Sequence, residues 1–380
     1  MRRTWTLIAI VSLAGCGQSP NTTATAAVAP TSEEVPLLFA KSFRIEKHGR
    51  TQIVTVFNSW KDSATPTRYV LVPKDDVPPA NASPAEIVRI PVGTFAALST
   101  THLSAFDELG LLDRLVGFAG KERVVNPKVL ERFNKGAIKV IGSGGGASQE
   151  RIAALGCDVL FVSDFSEDAP AKADVLRRLG VQVVAAAEFT EEHPLGRAEW
   201  IRFFAAFFDE GEKAERLFRA QVKEYQRLAR LAAKVPKRPT VMLNAPFGGT
   251  WHVPAGRSHA ALLIEAAGGR YLWDDVTSSK SLALQFEAVL AKAGDADYWL
   301  NPGQWTSLDA ALKEDGRYKN FAPFRNRRVY NNDLKKSPDG GIDYWETGVN
   351  HPERVLADLM AILHPELLPN HQMNWYRKLP

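Results

Sequence analysis

EKAERLFRAQVKEYQRLARLAAKV, residues 212–235, is a single helical pattern 24 residues long. At 1.5 Å per residue it would reach about 35 Å, enough to brace two lobes. The pattern starts upstream at Gly196 with one weak point at Gly211, and Pro236 and Pro239 end it. Residues 196–235 therefore read as a linking helical segment, and the fold is decided by what flanks it.

Both flanks have the texture of an α/β layer, with short apolar runs separated by helical patterns. Upstream, EIVRIPV, LVGFA, AIKVIG, CDVLFVS and VQVVAA are candidate strands, while HLSAFDELGLL, QERIAALG and KADVLRRLG are candidate helices closed by glycine. Downstream, TVMLNA, ALLIEAAGG, RYLW, FEAVLAKAG, DADYWLN, NRRVYN and the final helix PERVLADLMAILHP form a second set. The two sets share an order. STTHLSAFDELGLLDRLVGF (99–118) and QERIAALGCDVLFV (149–162) are matched by GTWHVPAGRSHAALLIEAAGGRYLW (249–273) and FEAVLAKAGDADYWL (286–300). Two copies of one layout joined by a long helix predict a bilobed α/β protein with a cleft between lobes. The domains expected are 81–195 and 236–380. Residues 36–80, where FRIEKHGRTQIVTVFNSW and RYVLVPKDD alternate polar with apolar, predict a small N-terminal β extension.

The N-terminus has its own logic. Arg2 and Arg3 precede an apolar run from Leu7 to Leu13 that is too short to span a bilayer. Leu-Ala-Gly-Cys at 13–16 resembles a bacterial lipobox, so residues 1–15 read as a signal peptide and Cys16 as the lipidated first residue of the mature chain. Residues 16–35, rich in Ser, Thr, Ala and Pro, read as a flexible tether. Removing the two arginines leaves 45 basic against 43 acidic residues with no dense basic run, which disfavours nucleic acid. Cys157 is then without a partner cysteine and reads as a small buried residue.

Glu150 and Glu287 each stand in the first turn of a helix, at equivalent places of the two repeats. A carboxylate there is stabilised by the free amides of the turn and needs no other purpose; as a matched, exposed pair the two could also dock on basic sites of a two-fold partner. The segments 94–104 and 246–258 fall where strand ends meet helices, the usual ligand position in open α/β sheets. In them Thr100, Thr101, His102, Trp251 and Arg257 offer hydroxyls, an imidazole, a stacking face and a cation, or are ordinary turn residues around a packed Trp. GSGGG at 142–146 lacks the Lys-Ser/Thr ending of a phosphate loop and reads as a flexible cleft-side loop. The histidines show no metal-ligand spacing. Ser99 near His102 has neither a nucleophile elbow nor a third residue to orient a base, which argues against a hydrolase. Trp345, in DYWE at 343–346, lies in loop-like sequence where a ring can stack on a flat or chelated ligand.

From about Ile87 onward the four matched segments, with the closing YWETGVNHPERVLADLMAILHPELLP, resemble the substrate-binding lipoproteins of bacterial ABC importers for iron(III)-siderophores, haem and cobalamin. The resemblance implies a class III periplasmic binding protein fold, not an enzyme and without a cofactor, in which one long helix joins lobes that move little. It implies that Glu150 and Glu287 pair with arginines of the membrane permease. It also places a ligand between 99–102 and 250–257, bringing in Ser99, with Trp345 and Glu346 on the far rim. The expected ligand is an iron(III)-siderophore-type chelate, with a corrinoid or haem as alternatives and a free Mn or Zn ion as a more distant one. The expected location is the periplasmic face of a membrane, reached through the lipid alone, with the protein a monomer.

Overall fold

The computed structural model describes residues 32–57, 59, 65–143, 146–163 and 166–380. Cys16, the expected signal peptide and the expected tether up to residue 31 lie outside the described residues. The last tether residues do not: Ser32–Glu34 forms β1, an edge strand paired antiparallel with β2 (Phe43–His48). Strand pairing is a backbone property and needs no apolar side chain, so the polar Ser-Glu-Glu gave no signal.

The extension continues through β3 (Thr51–Val56), β4 (Thr67–Pro73) and β5 (Ile87–Ile90), in sheet order β1-β2-β3-β4-β5. The sheet therefore runs ten residues past the expected boundary. The segment EIVRIPV, read as the first strand of the lobe, instead pairs in parallel with β4, Val70 opposite Ile87. Phe43, Ile45, Val54 and Tyr69 are buried on one face, with Phe43 against Trp200 and Phe203 and Tyr69 against Phe207. The Tyr69 hydroxyl accepts the amide of Ala185 at 2.7 Å, and burial pushes its pKa up to about 12.

The N-terminal lobe contains β6 (Phe95–Ala97), α1 (Leu103–Leu109), β7 (Leu115–Phe118), α2 (Pro127–Asn134), β8 (Lys139–Val140), the hairpin strands β9 (Gly142–Ser143) and β10 (Gly146–Ala147), α3 (Gln149–Leu155), β11 (Val159–Val162), α4 (Ala169–Arg178) and β12 (Val183–Ala185). Its sheet order is β12-β11-β6-β7-β8. The central strand, Phe-Ala-Ala, is fully buried; three residues with no β-branched side chain are too short and too plain to read as a strand.

Next come α5 (Pro194–Ala206) and α6 (Gly211–Ala232), with Gly211 as the first residue of the long helix rather than a break within it. Ala214, Phe218, Gln221, Tyr225, Leu228 and Ala232 recur at three- and four-residue steps and form the buried face of α6. The helix α5 is buried almost all round, as its Trp-Ile-x-Phe-Phe-Ala-Ala run requires.

The C-terminal lobe has β13 (Thr240–Leu243), β14 (Trp251–Pro254), α7 (His259–Ala266), β15 (Arg270–Tyr271), β16 (Ser281–Leu284), α8 (Phe286–Ala293), β17 (Tyr298–Leu300), α9 (Leu308–Glu314), α10 (Ala322–Arg325), β18 (Val329–Asn331), α11 (Asp343–Glu346), α12 (Pro352–Leu363) and β19 (Arg377–Lys378). Its sheet order is β15-β13-β17-β18-β19. The run β7-β6-β11-β12 of one lobe thus matches β15-β13-β17-β18 of the other. Gly110 and Gly268, after α1 and α7, both take a left-handed φ, 75° and 78°. The repeat read in the sequence is a structural repeat, and the chain is bilobed around the α5–α6 pair.

A strap formed by residues 341–351 crosses back to the N-terminal lobe. Glu346 accepts the amides of Val125 and Asn126, both at 2.7 Å, and Asn350 Nδ2 donates to the Thr101 carbonyl at 2.6 Å. His351 forms ion pairs with Glu108 of α1 and, at 3.1 Å, with Glu353.

Candidate functional site

The carboxyl ends of β13, β17 and β18 open onto a cleft of about 1270 Å³. Leu243, Asn244, Asn301 and Asn332 lie at these strand ends and line it. Phe189–Glu192, just before α5, and Arg197, in its first turn, also line it, as do Tyr344 and Trp345 from α11. Phe247 sits at the mouth, 83% exposed, on a tight turn in which Phe247 and Thr250 exchange backbone hydrogen bonds of 2.8 and 3.1 Å. Gly248 and Gly249 supply the positive φ values that such a two-residue turn demands.

Two cations, Arg197 and Lys336, and three carboxylates line the cleft; the carboxylates are engaged elsewhere, Glu191 by the Lys41 and Ser42 amides, Glu192 by Arg257 and Glu314 by Trp305. Burial lowers the pKa of Arg197, with Glu188 acting the other way, and the guanidinium donates to the Phe189 carbonyl at 2.9 Å. Burial drives His259 well below its ordinary value, and Arg197 and His193 push in the same direction, so its imidazole is neutral near pH 7. Its Nε2 is buried without a hydrogen-bond partner among the described residues. Lys336 adds a cation, paired with Asp333. Cations beside Phe247, Trp305, Tyr344 and Trp345 can hold a large ligand by charge and stacking together.

The residues singled out from sequence fall in several places. Trp345 lines the cleft and is 51% exposed. Ser99, Thr100, Thr101 and His102 do not form the wall, which is Phe189–Arg197 instead. Ser99 caps the turn, Thr101 donates to Glu188 at 2.7 Å, and His102 is fully buried with Nε2 3.5 Å from Glu188 and its ring against Phe204. Thr100 lies in the same short turn, which the strap overlies through Asn350. The polar groups of this loop are spent on holding the lobe together.

Trp251 does not line the cleft either. It is fully buried, donates to the Leu243 carbonyl at 3.0 Å and stacks on Trp299 with centroids 5.5 Å apart. Along β14 alternate side chains face opposite ways, so the cleft receives His252 and Pro254 while Trp251 faces the core. Glu346 is 1% exposed and ties the strap to the N-terminus of α2; burial pushes its pKa up to about 7, against the backbone bonds from Val125 and Asn126. Arg257 is exposed and pairs at 2.8 Å with Glu192, which does line the cleft.

Glu150 and Glu287 are both exposed in the first turns of α3 and α8. The Glu150 pKa is lowered by its own backbone amide and by Ser148, whose hydroxyl also caps α3. Glu287 pairs with Arg317 at 2.9 Å, and that guanidinium lies 4.0 Å above the Phe286 ring. Cys157 is a buried free thiol, and burial raises its pKa to about 11. Among the described residues, no cluster of three or more His, Cys, Asp or Glu side chains is placed to hold a bare metal ion.

Sequence reasoning missed Arg197, His259, Tyr344, Asn301 and Asn332. The asparagines carried a signal, since MLNA, YWLN and VYNN each end a candidate strand with Asn. Arg197 carried none, because only the packing of α5 brings it to the strand ends.

The periplasmic binding protein family model matches residues 96–334, and the chain belongs to that family. That family is one of non-enzymatic periplasmic solute-binding proteins. An uncharacterized lipoprotein of Methanocaldococcus jannaschii is 25% identical over 90% of this chain and 85% of its own length. A second from the same organism is 26% identical over 97% and 96%. Among solved structures, a periplasmic binding protein of Veillonella parvula superposes with TM-score 0.60 at 15% identity, over 83% of this chain and 99% of that one. A possible iron-binding periplasmic solute-binding protein of Staphylococcus epidermidis gives 0.56 at 14%, over 72% and 99%. A periplasmic haem-binding protein of Pseudomonas aeruginosa gives 0.54 at 19%, over 72% and 93%. These likenesses define the fold.

Proposed function

We propose that the protein is the lipid-anchored receptor of an ABC importer, held at the membrane through Cys16, and that it captures an iron(III)-siderophore-type chelate in the cleft at the C-terminal-lobe strand ends. The size of that cleft carries the reading: about 1270 Å³ lies above the ~300–1,000 Å³ of ordinary small-molecule pockets. It suits a bulky chelate better than a bare ion. Arg197, Lys336 and the rings at the rim fit a flat-sided ligand that offers acceptor groups to the two cations, with Glu191, Glu192 and Glu314 lining the same cleft. The iron-binding and haem-binding names of two structural neighbours, and the lipoprotein names of the relatives, support the same reading. Glu150 and Glu287 would meet the permease.

The test is intrinsic tryptophan quenching with ferric siderophores, haem and cobalamin in parallel, with bare Mn and Zn followed by equilibrium dialysis. A ferric siderophore should quench wild type, and the signal should fall in Trp345→Phe. Binding of the corrinoid or haem alone would move the ligand within the class. Retention of bare ions and none of the chelates would overturn the reading.

A further inference from the structure

We propose that Asn301 and Asn332 form a subsite for a neutral amide-type group on the captured ligand, one that presents an N–H beside a C=O. The proposal rests on the receptor reading above and narrows it. Strands β17 and β18 are parallel neighbours with Leu300 opposite Tyr330, so the residues that follow them emerge side by side at the cleft. Asn301 takes a left-handed φ of 57°, which asparagine tolerates better than other side-chain-bearing residues, and its amide N–H bonds the Tyr330 carbonyl at 2.9 Å. Its carboxamide lies near the buried Tyr376 hydroxyl, and its Oδ1 is buried without a partner among the described residues. Asn332 is 5% exposed; its backbone N–H is bonded to Asn331 Oδ1 at 3.1 Å, yet its own Nδ2 has no partner among the described residues.

The neighbouring asparagines behave differently. Asn331 Nδ2 donates to the Gly303 carbonyl at 2.6 Å and Asn244 Nδ2 to the His252 carbonyl at 2.8 Å. Those two are structural. The pair left over consists of one acceptor and one donor, and both residues line the cleft. Buried polar groups in folded proteins are almost always bonded, so two complementary exceptions on adjacent strand ends mark a place where a ligand completes the bonding. A carboxamide does so in full, giving its N–H to Asn301 Oδ1 and taking the N–H of Asn332. A carboxylate would satisfy the donor and repel the acceptor. Amide groups of this kind occur on the backbone of peptide-based hydroxamate chelates and on the periphery of corrinoids, and the test separates these sources.

Four probes are titrated by calorimetry against wild type, Asn332→Asp and Asn301→Leu: a ferric cyclic-peptide trihydroxamate and cyanocobalamin, which carry amides, and ferric citrate and haemin, which do not. At least one amide-bearing probe should bind wild type, and each variant should weaken it by about tenfold or more, because a built hydrogen-bond partner is removed or reversed. Melting temperatures reveal any folding defect, and Asn332→Leu, which removes an unbonded buried amide, should melt no lower than wild type. Preference for ferric citrate or haemin, or undiminished binding of the amide-bearing probes by well-folded variants, would overturn the subsite and leave the receptor reading standing. Failure of all four probes to bind would overturn both.

Discussion

Asp158 and Asp297 do the same work in the two lobes. The Asp158 carboxylate accepts the amides of Gly93 and Thr94 at 2.7 and 3.0 Å, while the Asp158 amide donates to the Thr94 carbonyl at 3.0 Å. Asp297 accepts the Thr240 amide and hydroxyl at 2.8 and 2.9 Å and donates to the Thr240 carbonyl at 3.1 Å. Each carboxylate thus clamps the start of one strand to the start of its parallel neighbour, β6 to β11 in one lobe and β13 to β17 in the other. Replacing either by Ala should cost about 1 kcal/mol at the exposed Asp158 and about 2 kcal/mol at Asp297, since bonds to a charged acceptor are lost. The sites share no partners, so chemical denaturation of the double variant should show additive losses; a strongly non-additive result would argue against two independent clamps.

His351 joins the lobes as a buried cation. Burial alone would lower its pKa, but Glu108 and Glu353 outweigh it and raise it to about 9. Gln221 Nε2, 3.3 Å from Nδ1, and Arg354, 3.6 Å from Glu353, complete the surroundings. Because the folded value lies above the ordinary ~6.5, this stabilisation is fully present below about pH 6.5 and is lost as pH rises through 9. His351→Ala leaves Glu108 without this partner and Glu353 with Arg354 alone, and should cost about 3 kcal/mol at pH 7. A stability profile between pH 7 and 10 should flatten in the variant.

Glu199 and Glu191 hold the extension. The Glu199 carboxylate accepts from the amides of Leu38, Phe39 and Ala40 at 2.7–2.8 Å, and Glu191 from those of Lys41 and Ser42 at 2.8–3.0 Å. Since Glu191 also lines the cleft, the brace and the ligand wall share a residue. Glu199→Ala should lower stability by about 3 kcal/mol and raise hydrogen exchange at residues 38–42; unchanged exchange there would count against the brace.

Trp251 and Trp345 should respond in opposite ways. Trp251→Ala empties a core site among Phe286, Trp299 and Phe321 and should cost about 3–5 kcal/mol. Trp345→Ala, at a half-exposed position, should leave the melting temperature almost unchanged and weaken chelate binding.

For Glu150 and Glu287, the double change to Lys should abolish uptake in cells while ligand affinity of the purified protein is retained. Arg317 partners Glu287, so Arg317→Ala should not impair uptake if the carboxylate is meant for a permease cation. Loss of affinity in the double variant would place these residues in the pocket instead.

The repeat and the linking helix were legible because both are local patterns: helical periodicity, glycine stops, and an Asp at the head of a buried strand recur at readable spacing. The short central strand Phe95–Ala97 and the polar edge Ser32–Glu34 were not, because the first is defined by burial and the second by backbone pairing. Trp345, read as an aromatic in loop-like sequence, lines the cleft from the short helix α11. Trp251 was misplaced by one position of strand alternation, which sent its ring to the core and His252 to the cleft.

By itself, then, the order of residues determined the bilobed α/β plan, the stiff connection and the two exposed first-turn glutamates, since each follows from interactions within a few turns or strands. Only the tertiary structure decided where the cleft lies and what faces it. Arg197, Asn301, Asn332 and Tyr344 come from four separate segments, and the strap that buries Glu346 is held by bonds to residues more than 200 positions away. Such contacts depend on burial and on competition for hydrogen-bond partners across the whole chain, which no local pattern records.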